Sequence, residues 1–235
     1  MADYLLVHGA WHGGWCWRRV APLLRDAGHG VFTPTLTGLG ERAHLAHEEI
    51  DLNTHVQDVV AVLECEDLSG VILVGHSYAG MVISGAAERA ADRIRRLVFL
   101  DAFVPRDGES LAGLVGPEAT SRFQEKAWSE GEGWRLPPMP PERYGIVAAD
   151  DIRWVGERLT SHPLKTWLQP VRLSSAVAAR LPRAFLYCRQ PPMGPFGAFA
   201  EGARQQGWCY RELETGHDAM ITAPRELADL LLQLA

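Results

Sequence analysis

The chain reads as an α/β protein: a mostly parallel, doubly wound sheet of about six strands with a helical cap inserted in it. Three observations carry that reading. Short apolar runs alternate with amphipathic helical stretches as far as Asp101, a β-α-β-α-β-α-β pattern whose crossovers demand parallel strands. One run, Val71-Ile72-Leu73-Val74, passes through Gly75-His76-Ser77-Tyr78-Ala79-Gly80 straight into a small-residue helix. The alternation then breaks near Val104 and resumes near Ala184, across a stretch too long for a loop and too poor in strand signals to extend the sheet.

Tyr4-Leu5-Leu6-Val7 is the first buried strand, and it runs into His8-Gly9-Ala10-Trp11-His12-Gly13-Gly14. The following helix places Trp17, Val20, Leu23 and Leu24 on one face, with Gly28 as its stop. Val31-Phe32-Thr33-Pro34 is a short second strand, closed by a glycine-rich polar loop from Thr35 to His47. Asp51 or Asn53 caps the next helix, whose Val56, Val59, Val60 and Leu63 keep i, i+3, i+4, i+7 spacing. The serine strand and its helix come next, then the strand Ile94 to Asp101. Residues 104–179 carry Trp128, Trp134, Trp154, Trp167 and Pro137-Pro138-Met139-Pro140-Pro141, and are expected to form a mostly helical cap over the sheet's carboxyl edge. The core is then 1–103 plus 180–235. Ala184-Phe185-Leu186-Tyr187-Cys188 and Trp208 to Leu213 complete the sheet, with a short helix near Phe199 to Gln206 between them. The last helix starts at Pro224, with Leu227, Leu230, Leu231 and Leu234 on one face.

With 235 residues, 47% of them hydrophobic, the chain can bury a sizeable core. A net charge of −6 with no basic run argues against nucleic acid as a partner. No apolar run approaches the roughly 18 residues that a membrane span needs. The four cysteines, Cys16, Cys65, Cys188 and Cys209, form no C-x-x-C and have no histidine at metal-ligand spacing, so neither metal nor cofactor is expected. No leader precedes the first strand, which points to the cytoplasm. A homodimer stands as a candidate assembly.

In open α/β sheets, ligands sit beyond the carboxyl ends of the strands. Four such ends carry chemistry here: His8-Gly9-Ala10, Ser77, Asp101 and His217. A strand, a sharp turn, a serine and then a helix make the context that lifts a Gly-x-Ser match above chance. The usual pattern has glycine at the place of Ala79; here glycine comes one step later, as Gly80. A serine hydroxyl needs an imidazole to take its proton, and that imidazole needs a carboxylate to fix its tautomer. His217, after the last strand, is where the order Ser…acid…His puts the base. The backbone N–H of Tyr78, at the positive end of its helix, and that of Ala10 are the natural oxyanion donors.

Leu-Val-His-Gly-Ala-Trp-His-Gly-Gly-Trp-Cys-Trp, Val-Gly-His-Ser-Tyr-Ala-Gly and Leu-Asp-Ala-Phe-Val-Pro resemble the plant methylesterase and hydroxynitrile lyase branch of the α/β-hydrolase fold. They also resemble its bacterial relatives, including esterases of the pyrethroid-hydrolase type. The resemblance implies Ser77 as nucleophile, His217 as base, and Ala10 and Tyr78 as oxyanion donors. Two departures stand out. The plant enzymes carry the acid just after the penultimate strand, where this chain reads Arg189-Gln190-Pro191-Pro192-Met193-Gly194-Pro195. Asp101 is the best substitute; Asp218, adjacent to His217, ranks below it, and a site without an acid is the remaining alternative. The lyases use a threonine at the Ala10 position and a lysine directly after the histidine, where this chain has Asp218.

The function expected is metal-free, serine-dependent hydrolysis of a small, largely apolar carboxylic ester through an acyl-enzyme. The alternatives are lyase, cyclase or cofactor-free oxygenase chemistry on the same fold, or a non-catalytic small-molecule receptor. His12 is expected to brace its loop, with lining the pocket as the alternative, and His76 to hold neighbouring loops. Phe103 and the cap tryptophans suggest an apolar pocket, although those tryptophans equally suit the cap's own core.

Overall fold

In the computed structural model, which describes residues 1–235, the carboxyl ends of the core strands converge on one edge. Strands β1 (Asp3–Val7), β2 (Gly30–Phe32), β3 (Val71–His76) and β4 (Ile94–Leu100) form from the runs predicted for them. Between them lie helices α1 (Ala21–Asp26), α2 (Leu52–Cys65) and α3 (Ala79–Ala90). The helix expected from Trp17 onward comes in two pieces. A 3-10 segment, Gly14–Arg19, precedes α1, and Pro22 at the start of α1 lacks the N–H that would continue one ladder through both. Asp51 is the cap of α2, bonded to Thr54 N–H at 2.9 Å.

Between Leu100 and Arg183 no strand joins the main sheet. This stretch holds α4 (Leu111–Val115), α5 (Pro117–Glu130), α6 (Ala149–Gly156), α7 (Lys165–Leu168) and α8 (Ala176–Ala179). It also holds a two-stranded antiparallel ladder of β5 (Arg135–Leu136) with β6 (His162–Pro163), which the sequence pattern did not announce. The main sheet resumes with β7 (Arg183–Cys188) and β8 (Cys209–Leu213), flanked by α9 (Phe196–Gln205), α10 (Ala219–Thr222) and α11 (Pro224–Leu232). No helix is long and apolar enough to cross a membrane.

All six main-sheet strands are parallel, in the order β2-β1-β3-β4-β7-β8. Chain order reverses at β1, and the crevice beside such a reversal is where doubly wound sheets bind ligands. Register fixes which residues share that crevice: Val7 pairs with Gly75, His76 with Leu100, and Leu100 with Leu186. The sheet is sandwiched between helix layers, and β3 is buried along its whole length.

Helix α3 is made of small residues because other backbone crowds it. A methyl on Gly80 would overlap the Phe103 carbonyl, and one on Gly75 would come within 2.7 Å of the Ala79 carbonyl oxygen. Ala79, where the motif usually has glycine, is wholly buried without such a clash. The steric requirement has thus moved one residue along. Gly80→Ala is expected to lower the unfolding free energy by about 2–4 kcal/mol through overpacking against backbone that cannot yield. Ala79→Gly should cost only about 1 kcal/mol of helix propensity. Urea denaturation of both variants checks the contrast, and equal losses would contradict it.

Candidate active site

Ser77 follows β3 at φ 55°, a left-handed conformation that costs an L-residue roughly 1–3 kcal/mol. Its neighbours enforce it. Ser77 N–H donates to Leu100 O at 3.2 Å, while Ser77 O accepts from Gly80 N–H at 3.1 Å and Phe103 N–H at 3.2 Å. The serine is therefore tied to the end of β4 on both sides of its Cα. It keeps partial exposure, whereas His76, Tyr78 and Ala79 around it are buried.

Asp101, the first residue past β4, is also left-handed (φ 42°) and wholly buried. Its N–H donates to Leu186 O at 2.7 Å, and its Oδ1 accepts from Cys188 N–H at 3.2 Å. Its Oδ2 lies 2.6 Å from Nδ1 of His217. A carboxylate accepts, so Nδ1 carries the proton and Nε2 the lone pair. Burial pushes the Asp101 carboxyl above its ordinary value, against the pull of the His217 and Cys188 hydrogen bonds. His217 is only 2% exposed, and Phe196 stacks on its ring with centroids 4.9 Å apart. His76 Nε2–H donates to His217 O at 3.0 Å, which holds the His217 loop beside the residue preceding Ser77. His76 thus does the loop-holding expected of it.

The loop after β1 forms the third wall. A methyl on Gly9 would come within 2.9 Å of Ser77 Cβ, so this loop runs against the serine. His8 Nδ1–H donates to Gly9 O at 2.8 Å, and its Nε2 accepts from Leu36 N–H at 3.0 Å. Ala10 and Tyr78 are 4% and 1% exposed, yet neither backbone N–H has an acceptor in the protein. Buried orphan N–H groups are rare. Two of them around one serine make a place for an anion.

His12 braces its loop: Nδ1–H donates to Ala10 O at 2.7 Å. Its other nitrogen lies 3.0 Å from Asp218 Oδ2, a pairing that sequence reasoning missed. Asp218 is therefore engaged with His12, while Asp101 holds His217. Of the cap tryptophans, Trp128 is 82% exposed and Trp154 packs edge-on against Trp15. Only Trp167 is buried, 5.6 Å from Trp11. Phe196 and Tyr144 stack on the His217 ring at 4.9 and 6.4 Å, and Phe103 packs edge-on against Phe196. His76, His217 and Asp218 offer ligand atoms within 4.8 Å of one another; His76 Nε2, His217 Nδ1 and Asp218 Oδ2 are hydrogen-bonded, while His76 Nδ1 and Asp218 Oδ1 are buried without a partner.

The Alpha/beta hydrolase family matches residues 4–230 of this chain. The chain belongs to that family. It is 43% identical to a carbendazim hydrolyzing esterase from Nocardioides sp. (strain SG-4G), over 100% of both chains. It is 26% identical to Methylesterase 1 of Arabidopsis thaliana, over 99% of this chain and 95% of that protein. Among solved structures, an extracellular alpha/beta-hydrolase from a Paenibacillus species superposes with a TM-score of 0.87 at 25% identity, covering 99% of this chain and 98% of that one. An esterase or hydrolase function on this fold follows from these relatives.

Four buried histidines are held neutral chiefly by burial: His8 is pushed down to about 3, His55 to about 4, and His76 and His162 well below the usual value. Unfolding returns each to its ordinary value near 6.5, so the unfolded chain binds more protons below that pH. The stability they confer is present above about pH 6.5 and lost as pH falls. His12 has the opposite sign: burial lowers it, but the Asp218 carboxylate outweighs burial and leaves it raised. Its contribution is fully present below about pH 6.5 and lost as pH rises through its folded value. Unfolding near pH 5 should therefore take up about three protons or more, read from the slope of unfolding free energy against pH. A flat slope there would contradict the assignment of neutral rings.

Proposed function

We propose that this chain is a metal-free serine esterase that works through an acyl-enzyme. The observation that carries the proposal is the 2.6 Å His217–Asp101 hydrogen bond, buried beside a left-handed serine turn. In the reaction, His217 Nε2 takes the Ser77 proton as Oγ attacks the ester carbonyl carbon. The carbonyl oxygen becomes an oxyanion and receives the N–H groups of Ala10 and Tyr78. Asp101 steadies the imidazolium and keeps the ring in the tautomer that presents Nε2. Collapse of the intermediate breaks the ester C–O bond, and the departing alcohol takes the proton from His217. Water then repeats the sequence on the acyl-enzyme, releasing the acid and restoring Ser77.

The substrate in this reading is small and largely apolar. Phe103 and Phe196 pack edge to face at 5.0 Å, and Phe103 is bonded through its N–H to Ser77 itself. Trp11, Tyr144 and Trp167 continue the aromatic surface. Flat aromatic esters and carbamates suit such walls, and the 43% identical relative makes carbendazim the first substrate to try. The four free cysteines are in keeping with a reducing cytoplasm. A lyase reading has less support: Ala10 supplies no hydroxyl and no lysine follows His217.

An activated aryl ester should give a stoichiometric burst of its phenol that disappears in Ser77→Ala. Asp101→Asn should keep the fold and lose roughly 10³–10⁴-fold in kcat, because the wrong tautomer is then presented. Full activity in Ser77→Ala would remove the nucleophile from the scheme. Full activity in Asp101→Asn would remove the acid.

A further inference from the structure

The hydrolytic steps leave unused a second buried imidazole–carboxylate pair at the same edge, His12 with Asp218. The two side chains are 1% and 0% exposed. His12 Nδ1 lies 2.7 Å from Ala10 O, and a carbonyl can only accept, so Nδ1 is protonated. His12 Nε2 lies 3.0 Å from Asp218 Oδ2. With Asp218 Oδ2 as acceptor both ring nitrogens would donate, and the Asp218 carboxylate does raise His12 above its ordinary value against the effect of burial. The titratable groups facing the pair are consistent with this. His8, His76, Cys16, Cys188 and Tyr144 are all pushed toward their neutral forms, chiefly by burial, and Asp101 is bonded to His217. His12 also stacks on Trp15 at 5.4 Å and meets Tyr144 edge-on at 5.3 Å, so its ring has little room to turn.

His12 of this pair and His8 together grip a single residue. His8 holds the peptide on the amino side of Ala10 through Gly9 O, and His12 holds the peptide on the carboxyl side through Ala10 O. Both dihedrals of Ala10 are thereby fixed, and with them the direction of its N–H. Asp218 directly follows His217, so the same ion pair joins the donor loop to the loop that carries the base.

We propose that His12 and Asp218 are a positioning pair: the charged His12 aims the Ala10 N–H at the oxyanion and locks that aim to the His217 loop. The proposal rests on the esterase reading for what the N–H is aimed at. Charge matters as well as direction. A lone buried carboxylate here would oppose the negative charge that develops in the reaction, and the imidazolium cancels it.

The test uses three substitutions and one spectrum. Asparagine puts its amide nitrogen where Nδ1 stood, so His12→Asn keeps the donor to Ala10 O and gives up Asp218. Glutamine reaches the Nε2 position, so His12→Gln keeps Asp218 and gives up Ala10. The burst rate with an aryl ester should fall roughly ten- to a hundred-fold in His12→Gln with KM within about threefold, because the oxyanion exists only past the ground state. His12→Asn should recover most of that loss, and Asp218→Asn should lose about tenfold. Nitrogen-15 NMR of the wild-type histidines should show both His12 ring nitrogens protonated at neutral pH, and only one in Asp218→Asn. Equal rates in His12→Asn and His12→Gln, a loss carried by KM, or a wild-type His12 with a single protonated nitrogen would each overturn the positioning pair. The spectrum and Asp218→Asn decide the matter if a His12 variant fails to fold. A wild-type chain with no Ser77-dependent burst would instead overturn the esterase reading, and is told apart by that.

Discussion

Ser77 sits where three strands' worth of backbone press against one residue, and most of the molecule near the sheet edge exists to keep it there. The turn is bonded to β4 through Leu100 O and Phe103 N–H, so it cannot relax without pulling that strand end with it. The loop after β1 lies directly against the serine, which leaves Gly9 no room for a side chain. Gly75 and Gly80 close the remaining sides. Backbone strain of this kind persists only where its surroundings over-determine it. Trp11 and Asp101 share the left-handed conformation at the ends of the strands on either side, so three of the five non-glycine residues with positive φ lie at the crevice.

A layer of polar groups unusual for a protein core lies under that turn. Six histidines are buried, and the hydrogen bonds of most of them fix both tautomer and ring orientation. His55 accepts from Tyr78 OH and donates to Thr37 O. His162 reaches down from the cap, accepts from Trp11 N–H and donates to Thr166. Trp11 is bonded to the cap twice more, through Thr160 N–H and Leu136 O. The short β5–β6 ladder therefore has a job. It presents His162 and Leu136 to the loop after β1, and so ties the stretch between β4 and β7 to the edge of the sheet at Trp11.

Local signals carried the reading of the sheet far. Runs such as Tyr4 to Val7 and Val71 to Val74 are too apolar to be anything but buried parallel strands, and glycine and proline punctuate their ends. The β5–β6 ladder escaped notice because two-residue strands leave no periodicity. The broken first helix escaped because one proline outweighed a good apolar face. The two roles open to the tryptophans of 104–179 could not be separated for another reason: composition says nothing about which way a side chain faces, and Trp128 and Trp154 turn to the surface and to Trp15.

By itself the sequence determined the strand-turn-helix around Ser77, the chain order of serine, aspartate and histidine, and the family those motifs belong to. These are properties of short stretches, set by backbone sterics and hydrophobic period. Only the tertiary structure decided which carboxylate holds which imidazole. Asp101 lies 116 residues from His217 and reaches it, whereas Asp218 is adjacent to it and turns to His12, 206 residues away. Register between parallel strands sets those distances, and no local pattern records it.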